Sequence, residues 1–134
     1  MPRPGNPIPW VRKAEQDYAA ACALARRRKT PLPDVVCFHA QQCAEKYLKA
    51  YLVLHRTYFP KTHDLLELLD LAAPLEPSLA LLKPRLQELR PYAVASRYPG
   101  EGATVAQSRL ALRQLALIRE QLRRLLRLRA GSSP

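Results

Sequence analysis

The stretch Cys37-Phe-His-Ala-Gln-Gln-Cys-Ala-Glu-Lys-Tyr-Leu-Lys-Ala-Tyr-Leu52 constrains the fold more than any other part of the chain. With Val36 before it and Leu54 after it, its apolar residues Ala40, Cys43, Ala44, Tyr47, Leu48, Ala50 and Tyr51 follow a helical period and cover a wide arc. A helix apolar over so much of its circumference touches several neighbours, so this one belongs at the centre of a bundle. Beside the apolar arc run His39, Gln42, Lys46 and Lys49, at offsets of 0, +3, +7 and +10. Those offsets align side chains along one side of a helix.

The rest of the chain supplies the partners for that helix. A first helix is expected over about 9–28, with Trp10, Ala14, Tyr18, Ala21, Leu24 and Ala25 near helical period and Arg26-Arg-Arg-Lys29 closing it. Thr30-Pro-Leu-Pro33 is a turn, and the central helix spans about 34–55 with Asp34 in its first turn. A short third helix follows, started by Thr62 or His63 and running from Asp64 to about Leu71, with Asp64 near its positive end. A fourth covers about 78–93, kinked or divided by Pro84 and Pro91, and a last one about 103–129. Only four glycines occur, and no stretch alternates as a strand would. The fold class is therefore all-α, an antiparallel up-and-down helical bundle of four to five helices. Residues 1–7 form a Pro-rich leader, 8–129 a single domain and 130–134 a tail.

Net charge is +11, which favours anionic partners such as RNA, DNA or nucleotides. On the last helix Leu110, Leu115, Leu117, Ile118, Leu122, Leu125, Leu126 and Leu128 occupy about half the circumference. Arg109, Arg113, Arg123, Arg124 and Arg127 gather opposite, either as a solvated face or as a ridge that tracks phosphates. Cys22, Cys37 and Cys43 lack a CxxC pair and read as buried free thiols in a reducing compartment. Neither they nor His39 have zinc-ligand spacing, so no metal is expected, and no cofactor. The N-terminus has no apolar signal region and no run is long enough to span a membrane, so a cytoplasmic location is expected. Phosphate-binding glycine loops, HExxH and Ser/His/Asp arrangements are missing from the sequence.

Phe38 to Leu52, with Thr62-His-Asp-Leu65 after it and Arg97-Tyr-Pro99 later, resembles the HEPN domain family (higher eukaryotes and prokaryotes nucleotide-binding). Trp10 and Asp17-Tyr18 are similar to that family's first helix, and the resemblance covers about residues 8–128. It implies a small helical bundle, often a homodimer, with a cleft between protomers. It also implies a minimal nucleotidyltransferase as partner in a toxin–antitoxin pair. Many members are metal-independent endoribonucleases with an Arg-x(4–6)-His motif near the last core helix, and others only bind nucleotides or assemble. This chain departs from the active pattern: the positions where Arg97 would find its histidine hold Gly102, Ala103 and Thr104. One literal match, Arg56 with His63, lies in the loop before the third helix.

Metal-free RNA cleavage needs a base, an acid and a cation beside the phosphorane. His63 is the candidate base, and Arg97 or Arg56 the candidate cation, since guanidinium matches phosphate bidentately. Tyr98 is placed to stack on a base or to plug the end of the bundle. His39, Gln42 and Lys46 either line a ligand cleft or join two helices, and Glu45 pairs most simply with Lys49 at i+4. Arg56, Arg109 and Arg113 complete the candidate RNA-binding set. Three readings follow: an RNA- or nucleotide-binding module, an active ribonuclease toxin, and a purely structural interaction module.

Overall fold

The computed structural model describes residues 3–94, 99–100 and 102–128. Five α-helices carry the fold: α1 (Ile8–Ala25), α2 (Pro33–Leu54), α3 (Leu65–Ala72), α4 (Lys83–Leu89) and α5 (Val105–Leu125). Two 3₁₀ turns, Pro77–Leu82 and Arg90–Ala93, flank α4, and no strand occurs among the described residues. The architecture is the expected all-α helical bundle.

Thirteen of the 22 residues of α2 are buried, which makes it the axis of the bundle. It packs against α1, α5, α3 and the second 3₁₀ turn. Tyr47, Leu48 and Leu52 of α2 are fully buried, as are Leu65 and Leu68 of α3, Leu86 of α4 and Leu115, Ile118 and Leu122 of α5.

Proline placement sets most of the helix starts. Each of α1, α2, α4 and both 3₁₀ turns carries a proline in its opening positions, where its missing N–H costs nothing. Pro84 and Pro91 thus divide the expected fourth helix into α4 and two 3₁₀ turns. Asp64 caps α3 by accepting from Leu66 N at 3.0 Å, so the helix starts just after the Thr-His-Asp sequence. Thr104 and Gln107 form a reciprocal capping box on α5. Asp34 accepts from Ala103 N at 2.5 Å and so ties the entry of α5 to the start of α2. A Cβ at position 102 would lie 2.9 Å from that carboxylate, hence Gly102.

The helices end differently from expectation. α1 stops at Ala25, with Arg26 as its cap, so Arg27, Arg28 and Lys29 lie beyond it. α2 and α5 are each followed by an arginine in the left-handed region, Arg56 at φ 50° and Arg127 at φ 59°. There the chain folds back so that Thr57 N reaches Leu52 O (2.9 Å) and Leu128 N reaches Arg123 O (2.8 Å).

α1 and α5 are joined through one carboxylate. Arg119 donates from Nε and Nη2 to Glu15 at 2.8 and 2.6 Å. Tyr47 of α2 donates to Glu15 at 2.6 Å, and Arg123 donates to the Tyr47 hydroxyl at 2.9 Å. Arg123 is only 3% exposed, so it leaves the outward row of arginines and belongs to the helix contact instead. Leu117 moves the other way and is exposed. Burial pushes the Glu15 carboxyl up, but the hydrogen bonds of Arg119 and Tyr47 and the charges of Arg119 and Arg123 outweigh it and hold the group below its ordinary value. Burial and the Glu15 carboxylate likewise push the Tyr47 phenol up.

Two stability measurements follow. Leu48→Ala should cost about 2–5 kcal/mol in urea unfolding, because the site is fully buried on the central helix. A carboxyl lowered on folding adds stability above its ordinary value near 4.5 and loses it as pH falls through the folded value. Glu15→Gln should therefore lower stability at neutral pH by roughly 3 kcal/mol and flatten the acid limb of the stability–pH curve.

Candidate functional site

Beyond Asp34 in its first turn, α2 carries six charged, amide or imidazole residues, Gln41, Glu45, Lys49, Gln42, Lys46 and His39, which fall in that order around one side of the helix at about 100° per residue. None is exposed: Gln41, Glu45 and Lys49 are buried and the other three half-buried. Polar groups in that position need partners, and two carboxylates organise them.

The first is Glu45, whose side chain is 3% exposed. It accepts from Lys49 Nζ at 3.0 Å on one oxygen and from His63 Nδ1 at 3.0 Å on the other. Gln41 adds a long contact to the same oxygen at 3.4 Å and donates to the His63 carbonyl at 3.0 Å, while Gln42 donates to Gln41 at 2.7 Å. The Lys49 ammonium also sits 5.4 Å from the Trp10 ring and 5.8 Å from the Phe59 ring, in cation–π range. His63 itself is 73% exposed. Facing a carboxylate, its Nδ1 carries the proton, which leaves Nε2 as the proton-accepting atom of the neutral ring. The result is an oriented imidazole on the surface, anchored to a buried carboxylate.

The Thr62-His-Asp-Leu65 sequence builds this joint. The Thr62 hydroxyl accepts from Asp64 N (3.1 Å) and donates to Glu67 (2.8 Å). Asp64 caps α3 and receives both the Nε and Nη2 of Arg90, at 3.0 and 2.8 Å. That fork lowers the Asp64 carboxyl below its ordinary range. One short segment thus binds α2, α3 and the second 3₁₀ turn.

The second carboxylate is Asp17 of α1, which repeats the pattern. It accepts from His39 Nδ1 at 2.8 Å and from Lys46 Nζ at 2.5 Å. The His39 ring also meets the exposed Phe38 edge-on at 5.5 Å. His39 and Lys46 are therefore brought together, on the α1 side of α2, and His63 stands with Glu45 through a different part of the arc.

The remaining expected site residues are distributed more widely. The Arg56 side chain donates from Nε to the Arg3 carbonyl, and its backbone ends α2. Arg109 and Arg113 are exposed on α5. Arg97 and Tyr98, the expected cation and stacking residue, lie outside the described residues, as does any groove shared by Arg97 and His63. Cys37 and Cys43 are buried, with thiols raised by burial, Cys37 to about 11. Neither is a thiolate nucleophile near neutrality.

The expected Glu45–Lys49 pair is present, but sequence reasoning did not join Glu45 to His63 and did not weigh Asp17, Gln41, Glu15 or Arg119 as site residues. A signal existed for one of the acids: Asp17 stands among Ala14, Ala20 and Ala21 on α1, and a charge on such a face needs an opposite charge from another helix.

The HEPN domain model matches residues 9–129, from the start of α1 to just past α5. Nothing among the curated proteins and no solved structure matches the chain. The matched span includes both carboxylate clusters and the Thr62–Leu65 joint. The chain therefore belongs to the HEPN domain family.

Proposed function

We propose that this chain is a HEPN-type helical module that binds RNA or a nucleotide, acting as a homodimer with a minimal nucleotidyltransferase partner in a toxin–antitoxin pair. Family membership supplies the class. The observation that carries the binding reading is the outer face of α5, where Arg109, Arg113 and Arg124 stand exposed along 16 residues of helix on a chain of net charge +11. Arg127 is exposed just past the end of α5, and Arg26, Arg27, Arg28 and Lys29 add an exposed basic run after α1. Such rows bind phosphates without reading sequence. His39, Gln42, Lys46, Arg56 and Tyr98 complete the proposed binding set.

A second reading, a metal-independent endoribonuclease, is favoured by His63 alone. Its Nε2 is presented to solvent by a buried carboxylate, the arrangement a general base requires. Arg97 is the proposed cation for the phosphorane.

RNA mobility shifts across a salt series test the first reading. Binding should weaken steeply with salt, and Arg109→Ala with Arg113→Ala should lower the log–log slope by about 1.5–2. Unchanged RNA mobility at low salt would leave a purely structural interaction module. Incubation of the protein with RNA and a chelator tests the second. Cleavage should drop by about 10²-fold in His63→Ala, and equal cleavage by that variant removes the ribonuclease reading. Light scattering at micromolar concentration should give a dimer mass, and a monomer would contradict the assembly.

A further inference from the structure

α1 works on two sides. Trp10 and Asp17 meet the polar arc of α2 and its neighbours, whereas Glu15 and Tyr18 meet α5. On the α5 side lies a cleft of about 370 Å³, lined by Tyr18, Ala116, Arg119, Glu120, Arg123 and Arg124. That volume is at the lower end of the range for small-molecule sites.

Its lining is cationic and already ordered. Three guanidiniums stand against two carboxylates, Glu15 behind Arg119 and the exposed Glu120. Arg119 is held by its two bonds to Glu15 and lies 4.1 Å from the Tyr18 ring centroid. Arg123 is held by the Tyr47 hydroxyl. Two of the three cations have therefore lost their rotamer freedom before any ligand arrives, which removes a usual cost of binding. Tyr18 and Ala116 leave room for an apolar portion beside the charge. Guanidinium forks match phosphate oxygens, and a terminal phosphate carries about two charges where an internal diester carries one.

The structure assigns this α1–α5 cleft as a binding site for a terminal phosphomonoester, from a free nucleotide or from the 5′ end of an RNA. The site is separate from His63 and does not depend on its role.

The experiment titrates the full chain with two short RNAs that differ only in a 5′-phosphate or a 5′-hydroxyl, with AMP and inorganic phosphate as competitors. The same titrations are run on Ala116→Tyr, which fills the cleft from an exposed helix position, and on Arg124→Glu. Thermal melting confirms that both variants fold. The 5′-phosphorylated RNA should bind about tenfold more tightly than its partner, and both variants should erase the difference. AMP that competes as well as the phosphorylated RNA supports the site and names the free nucleotide as its source. Weaker competition by AMP supports it and names the RNA end. Equal binding of the two RNAs, or a preference that survives Ala116→Tyr, overturns the assignment. Equal but salt-sensitive binding of both RNAs overturns it while leaving the ridge on α5 standing.

Discussion

A carboxylate withdrawn from water costs several kcal/mol unless donors surround it, and this bundle withdraws three. Glu45, Asp17 and Glu15 have side chains no more than 12% exposed. Each is met on both oxygens: Glu45 by Lys49 and His63, Asp17 by Lys46 and His39, Glu15 by Arg119 and Tyr47. Two of the three bind partners on other helices, and the third reaches the start of α3. The hydrophobic seams bring α1, α2 and α5 together, while the carboxylates select the rotation and register at which those seams close. A slip of one turn would bury an acid without its cations.

The same requirement makes surface chemistry available. Glu45 and Asp17 each combine one lysine and one histidine, and the histidine uses Nδ1 in both cases. Satisfying the buried acid therefore fixes the tautomer of a ring whose far nitrogen remains for other work. At His63 that ring is largely solvent-facing, and at His39 it is half-covered beside Phe38. Stability and potential function here share atoms, so the polar arc of α2 cannot be simplified to leucine without removing the His39 imidazole and the carboxylate that anchors His63.

Much of this fold was legible in the sequence. The period of Val36 to Leu54 gave a central helix, and the prolines marked its borders and the division of the fourth helix. Helix ends were less legible: Arg26 to Lys29 favour a helix C-terminus electrostatically, yet the chain leaves α1 before most of them. Arg123 was misplaced because a wheel assigns a face by angle alone. It lies at the edge of the buried arc, and only the distant pair Glu15 and Tyr47 draws it inward. The Glu45–His63 contact could not be read for a similar reason. It joins residues on two elements through a loop whose path depends on Asp64 capping α3 and on Arg90 clasping Asp64.

Gly5 donates its N–H to the Leu54 carbonyl, and a Cβ there would fall on the Val53 carbonyl oxygen. The segment before α1 is therefore pressed flat on the last turn of α2, and the Arg56 side chain clasps the Arg3 carbonyl over it. A side chain at position 5 would act as a wedge between these two layers, so the absence of one methyl group is what lets the leader lie against the end of α2.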